Sequence, residues 1–390
     1  MRKIAVVTSS RADYGLLRPI LFKLAKNKDC ELELIVTGSH LSESHGYTIR
    51  EIESDGFPID HRIALNSSAV TRSVAAHQSS DLLLNLTRIF KAKKPELLVM
   101  LGDRYEIFIV AFVATLMRIP IAHIHGGELT SGSMDDVFRH AITKMSHLHF
   151  TALKEYGNRV VQMGEQPSRV YVVGGLGAEN VDRLNLKTRA MLASELGIEF
   201  SKKNYLITMH PNTFDGSNEI NSLFRVLDKL EESQLFFTLP NADPGSQELI
   251  TQIKKYVKAH PNAQLLKSLG WSNYLSLAAV CDAVVGNSSS GLLEIPSLKV
   301  ATINIGSRQK GRITGESVIN CEAEPSEIML AFEALTKKEF KEMIKNSNNP
   351  YFQHNTSEKI ANTLMSVDLE GIMSKTFFNL NLEELIWDTK

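Results

Sequence analysis

The sequence predicts an α/β chain of two doubly wound halves, each a parallel sheet covered by helices on both faces. Three observations predict it. Short, continuously apolar runs alternate with amphipathic stretches along most of the chain. Strands buried on both faces read this way, and their alternation with helices indicates βαβ units. The series of runs begins twice, at "KIAVVTS" (3–9) and again at "NYLITMHP" (204–211). Finally, 390 residues are long for one core, since a domain typically holds about 100–200.

The first series runs from "KIAVVTS" through an amphipathic stretch at 13–27 to "LELIVTG" (32–38). "ELLVMLG" (96–102) precedes a helix near 105–118, and "IPIAHIHGG" (119–127), "LHFTA" (148–152) and "VYVVGG" (170–175) follow. The second series adds "LFFTLPN" (235–241), "AQLLKSLG" (263–270), "AVVGN" (283–287) and "VATINIG" (300–306). Between them "GGLGAENVDRLNLKTRAMLASELGI" turns from glycine-rich to charged and reads as the connection, with its glycines as a hinge. It fails the GxGxxG spacing of a dinucleotide fingerprint. The expected domains are 1–176 and 177–351, with the segment 352–390, helical around 355–366, packing back on the first half. One long open sheet is the alternative, and the second start argues against it.

Composition narrows the partners. A net charge of −1 lacks the basic excess of nucleic-acid-binding domains. Cys30, Cys281 and Cys321 form no CxxC, which argues against a zinc ribbon or disulfide scaffold and fits a reducing compartment. "IAVV" (4–7) is too short for a signal-peptide core. The longest apolar run, "IFIVAFVATLM" (107–117), falls short of the roughly 20 residues that span a bilayer. The expected setting is cytoplasmic, with no membrane partner.

Ligands of doubly wound sheets bind outside the carboxyl ends of the strands, and the polar clusters of this chain fall there. "TSSRADYG" (8–15) brings Ser9, Ser10 and Arg11 to the start of a helix opening near Asp13, either an anion site or a capped helix with a solvated arginine. "GNSSSGLLEIP" (286–296) repeats the device. Ser288, Ser289 and Ser290 offer hydroxyls and N–H groups to a phosphate, and Glu294, further into the helix, suits the two hydroxyls of a ribose. The bland reading is a serine cap and a surface glutamate. Anion sites on two facing halves favour a nucleoside diphosphate spanning a cleft.

"LGDRYE" places Asp103 and Arg104 after one strand, "HIHGGE" places His123, His125 and Glu128 after the next, and "SMDDVFRHAITK" opens a helix with Asp135 and Asp136. Neighbouring acids drive each other's pKa values apart, so these suit paired acid and base work. Capping by Asp135 or Asp136 and zinc binding at HxH are alternatives, the latter without a strong template in spacing. His210, in "TMHPNTF", stands at a strand end of the second half, while His147 and His149 read as packing residues. Arg308, Lys310 and Arg312 of "SRQKGR", with Lys299 upstream, either neutralise a diphosphate or form a solvated loop.

With these residues in view, the chain resembles the hydrolysing UDP-N-acetylglucosamine 2-epimerases, in the bacterial branch that leads to sialic and legionaminic acids. The matching segments are "TSSRADYG", "VTGSHLSESHG", "MLGDRYE", "HIHGGE", "DDVFRHAITKMSHLHF", "VVGGLGAEN", "MHPNT" and "GNSSSGLLEIPSLKVATINIGSRQKGR". They run in order from residue 8 to 312; the last 40 or so residues carry no diagnostic stretch.

The resemblance implies two Rossmann-like domains in the glycosyltransferase-B architecture, with the UDP-sugar in the interdomain cleft. It puts Ser288, Ser289 and Glu294 on the diphosphate and ribose, Arg11 and Arg308 near the nucleotide, and Asp103, Glu128, Asp135 and His210 around the sugar. Ser290, Arg104 and Arg312 complete the expected binding set. The implied reaction eliminates UDP to 2-acetamidoglucal and adds water, releasing N-acetylmannosamine. It requires no metal or organic cofactor, and many members are dimers or tetramers.

Several relatives read "HIEGGE", with a catalytic glutamate where this chain has His125. The acid/base role therefore passes to His125, to Glu128 or to both. Similar "HIHGGE" enzymes include ones that act on UDP-N,N'-diacetylbacillosamine, the close alternative substrate. A glycosyltransferase on the same fold and a non-catalytic UDP-sugar sensor are the more distant readings.

Overall fold

The computed structural model describes all residues except 44–45, 66–70, 132, 212–218, 231, 241–244, 267–268 and 381–390. Parts of two motifs quoted above, "VTGSHLSESHG" and "MHPNT", lie outside the described residues.

Two parallel sheets form the frame. The first contains β1 (Arg2–Thr8), β2 (Cys30–Thr37), β3 (His61–Ile63), β4 (Leu97–Leu101), β5 (Ile121–Ile124), β6 (Leu148–Thr151) and β7 (Val170–Val172). Its order is 3-2-1-4-5-6-7. The second contains β8 (Lys203–Thr208), β9 (Ser233–Thr238), β10 (Ala263–Leu266), β11 (Ala283–Gly286), β12 (Ala301–Ile305) and β13 (Val318–Cys321), in the order 10-9-8-11-12-13. The pairings are parallel, as in β1 with β2 and β4, and β11 with β8 and β12. Sheet order reverses between β1 and β4, and between β8 and β11. These are the topological switch points where doubly wound folds bind ligands.

Both faces of each sheet are covered. Ile4, Val6, Leu34 and Val99 pack against Leu17, Leu21 and Leu24 of helix Arg11–Lys26 and Ile360 and Leu364 of helix Thr356–Ser366. Ala5, Val7, Ile35 and Leu98 face helices Arg72–Ala92 and Tyr105–Leu116 on the other side. This two-sided burial is why the strands are continuously apolar.

The C-terminal helix and the residues just after it pack on the first half. Thr356 Oγ1 donates to the carbonyl of Val173, Arg2 donates to that of Leu364, and Arg169 to that of Ile372. Among the described residues of the C-terminal segment the regular part is helix Thr356–Ser366; residues 367–380 follow without a further helix. Among the described residues no helix is long and apolar enough to cross a membrane.

The two halves meet through the loop after β12. Ser131 N–H donates to the Lys310 carbonyl at 3.1 Å, and Ile313 N–H to Tyr156 Oη at 3.1 Å. Gly311, with φ +93°, lies so near Leu129 that a Cβ there would stand 2.9 Å from the leucine Cβ. "SRQKGR" is therefore a docked segment rather than a solvated loop, although Lys310 itself is exposed.

Candidate active site

At the end of β1 the helix starts at Arg11, two residues earlier than expected, with Ser10 as N-cap and Asp13 completing a capping box. The pattern Ser-x-x-Asp in "SRAD" carried that signal. Asp13 occupies the helix N-terminus: the N–H groups of Ser9 and Ser10 both donate to its carboxylate, at 2.9 and 3.1 Å, and so does the Ser9 hydroxyl. Thr8 Oγ1 donates to it as well. Burial alone would raise the Asp13 carboxyl, but these bonds and His40 hold it below the usual range. The donors read as a phosphate cradle are thus already engaged by an internal anion, and Arg11, next in the chain, is half-buried.

The acids after β4 and β5 converge on a residue the sequence reading passed over. Arg139, from helix Asp135–Met145, has a side chain only 1% exposed. It donates to Asp103, to Asp136 Oδ1 (2.9 Å), to the Glu128 carbonyl (3.0 Å) and to Thr130 Oγ1 (3.0 Å). Burial disfavours its charge, but Asp103, Glu128 and Asp136 outweigh that and raise its pKa. Its sequence signal is weak: an arginine three and four residues beyond Asp136 and Asp135. Asp135 accepts from the Ser133 hydroxyl at 3.0 Å, and Arg104 forks onto Glu106 at 3.2 and 3.3 Å.

His125 follows β5 with φ +67°, in the left-handed region rarely used by non-glycine residues. Gly127 (φ +79°) follows in the same turn, where a Cβ would stand 2.3 Å from the Tyr156 carbonyl oxygen. Glu128 is buried between Arg312 and His125. Its Oε2 is 2.7 Å from Arg312 Nη2, from the other half, and its Oε1 is 3.0 Å from His125 Nδ1. The second approach is not aligned as a hydrogen bond. Burial would raise the Glu128 carboxyl, yet Arg312 and His125 hold it at about 2. His125 Nε2 is buried without a hydrogen-bond partner.

In the second half Asn287, also passed over, organises the loop. Its side-chain amide grips His210 at both ends: His210 N–H donates to Oδ1 at 2.7 Å, and Nδ2 donates to the His210 carbonyl at 2.9 Å. Gly286 (φ +140°) admits no side chain, because a Cβ would stand 2.0 Å from the Thr208 carbonyl oxygen. The Ser290 hydroxyl bonds Tyr274 Oη at 2.6 Å and Ser288 Oγ at 3.2 Å.

The helix expected after the serines is a single turn, Ser290–Leu293, followed by the 3₁₀ turn Ile295–Leu298. One turn carries little macrodipole, so these serines gain little from a helix dipole. Ser288, Ser289, Ser290 and their N–H groups remain as donors. Glu294 joins the two turns, half-buried, with burial raising its carboxyl to about 7. Arg308 donates to the Asn287 carbonyl at 3.2 Å. Lys299 is remote in function from this group, since it donates to the Ser347 carbonyl.

The HxH pair does not form a metal pocket. His123 spends Nε2 on the Gly102 carbonyl (2.8 Å) and Nδ1 on Thr143 Oγ1 (3.2 Å), and burial lowers it to about 3. His147 and His149 are buried as well, His149 against Glu165 at 3.0 Å.

The family model described as UDP-N-acetylglucosamine 2-epimerase matches residues 23–365. The chain is 39% identical to the GDP/UDP-N,N'-diacetylbacillosamine 2-epimerase (hydrolyzing) of Campylobacter jejuni, over 97% of this chain and 99% of that one. It is 38% identical to polysialic acid biosynthesis protein P7 of Escherichia coli, over 91% of each. In fold it is similar to the UDP-GlcNAc 2-epimerase of Neisseria meningitidis solved with UDP-GlcNAc, with a TM-score of 0.82 at 18% identity, over 94% of this chain and 100% of that one.

Proposed function

This chain belongs to the UDP-N-acetylglucosamine 2-epimerase family, and we propose that within it the enzyme hydrolyses its UDP-sugar while inverting C2. The leading substrate is UDP-N-acetylglucosamine, the products N-acetylmannosamine and UDP. The observation that carries this reading is the buried array His125–Glu128–Arg312, which joins proton-transfer groups of one half to the nucleotide half at a closed seam.

The C2–H bond is a poor acid until the C1–O bond to UDP begins to break. In the proposed reaction Ser288, Ser289, Arg308 and Arg11 hold and neutralise the diphosphate, and Glu294 takes the ribose hydroxyls. His125, its Nδ1 beside Glu128 and its Nε2 unpartnered, removes the C2 proton as UDP leaves. Asp103, Asp135 and His210 surround the sugar. The 2-acetamidoglucal then takes a proton at C2 on the opposite face, and water oxygen bonds to C1.

The test is incubation with UDP-N-acetylglucosamine and no acceptor, in D₂O and in H₂¹⁸O. The expected product is free N-acetylmannosamine with deuterium at C2 and ¹⁸O at C1, and none of the label in UDP. Release of UDP-N-acetylmannosamine, or retention of the original C2 hydrogen, overturns the proposal. The same reaction on UDP-N,N'-diacetylbacillosamine is the second reading, favoured by the similarity to the Campylobacter jejuni enzyme and by 33% identity, over 95% of this chain, to that of Legionella pneumophila named for this sugar. Parallel incubation with that substrate separates the two.

A further inference from the structure

We propose that Gln309 is a positioning residue that relays the state of the nucleotide loop to Glu128 across the cleft. Gln309 is buried, on the docked segment after β12. Its Nε2 donates to the Asn287 carbonyl at 2.9 Å, and its Oε1 accepts from Arg312 Nη1 at 3.1 Å. The other terminal nitrogen of the same guanidinium, Nη2, stands 2.7 Å from Glu128 Oε2.

A carbonyl on one side and a guanidinium on the other leave the amide one orientation. Glutamate accepts only, lysine donates only, and methionine does neither; glutamine satisfies both partners at once. Because Nη1 is held by Gln309, the plane of the guanidinium that meets Glu128 is set from the second half.

The upstream end of the relay is the peptide that leads into Ser288. The same Asn287 also grips His210 through its side chain. On the reading of the serines given above, a diphosphate that pulls on this peptide also moves the acceptor of Gln309 and with it Arg312. Glu128 additionally faces His125 and Arg139 from its own half, with Tyr156 and Tyr351 nearby. Arg312 is the partner that arrives from the nucleotide half, so it is the one able to report that half's state.

The experiment compares the wild-type enzyme with Gln309→Met, close in volume but without the amide, and repeats the comparison in an Arg312→Lys background. Misplacing a reacting group by about 1 Å costs up to about 10²-fold in rate. The expected result for Q309M is a fall in kcat of about ten- to hundredfold, with UDP affinity by calorimetry held within about threefold. In the R312K background, where no fork remains to be oriented, Q309M adds less than about twofold. Additive losses, or a loss of UDP affinity with kcat unchanged, overturn the proposal.

This inference rests on the proposed reaction, so one readout is independent of turnover. The Glu128 carboxyl, followed by ¹³C NMR without nucleotide, is expected to titrate at higher pH in Q309M than in the wild type, and identical titrations overturn the relay. A wild-type enzyme that releases no sugar while the titration still shifts would instead indict the reaction. Should Q309M fail to fold, Gln309→Asn, too short to reach both partners, carries the same expectations.

Discussion

Gly177 and Glu294 are packed so closely that a methyl group on Gly177 would stand 2.7 Å from Glu294 Cγ and 3.1 Å from Oε1. Gly177 lies in helix Leu176–Asp182, at the connection between the halves, and Glu294 in the segment proposed to hold the ribose. Gly177→Ala is expected to displace the carboxylate, weakening UDP binding while affecting 2'-deoxy-UDP less. Calorimetry with the two nucleotides checks this; equal losses would mean that Glu294 does not meet the ribose.

Glu294 also carries a pH signature. Its folded pKa, raised to about 7 by burial, exceeds the ordinary 4.5, so the folded state binds the proton more tightly than the unfolded chain. Its contribution to stability is therefore fully present below about 4.5 and falls as pH rises through about 7. Glu294→Gln is expected to raise the melting temperature relative to wild type more at pH 8 than at pH 5. UDP affinity of the wild type is expected to rise through the same interval as the carboxylate forms, and that rise should vanish in the glutamine variant.

Proton transfer gives a third expectation. Removing a positioned acid or base costs about 10²–10⁴-fold in rate. His125→Gln and Glu128→Gln are each expected to lose activity on that scale, with UDP affinity retained. His125→Glu, which puts a carboxylate in the imidazole's place, is expected to keep activity with a displaced pH–rate profile. An unchanged profile would assign the transfer to another group.

The Arg139 cluster makes a stability prediction. Removing one partner of a buried ion pair typically costs about 3–5 kcal/mol, because the remaining charges are left uncompensated. Arg139→Met takes from Asp103 and Asp136 the cation they share, so a loss of that order is expected in denaturant unfolding near neutral pH. The deficit should shrink as pH falls and Asp136, held at about 2 in the wild type partly by Arg139, takes up a proton. A loss independent of pH would point to packing alone.

The strands were legible because both faces of each sheet are covered, which leaves continuous apolar runs such as "AVV" in β1 and "LLVML" in β4. β3 and β13 were not, since three or four residues at a sheet edge, "HRI" and "VINC", carry no such run. Candidate residues were found by their place after strands. Ser288 stands two residues beyond β11, Asp103 two beyond β4 and His210 two beyond β8.

The sequence by itself determined the βαβ alternation, the two sheets and the chemistry available at their carboxyl ends, because periodicity and strand-end position are local properties of the chain. Only the tertiary structure decided what those side chains touch. Asp13 rather than a ligand takes the donors of Ser9 and Ser10; Arg139 gathers Asp103 and Asp136; Arg312, 184 residues beyond Glu128 in the numbering of the chain, closes on its carboxylate. Ion pairs and hydrogen bonds act over about 3 Å, and which groups come that close across two halves is set by the packing of the sheets and of the loop after β12.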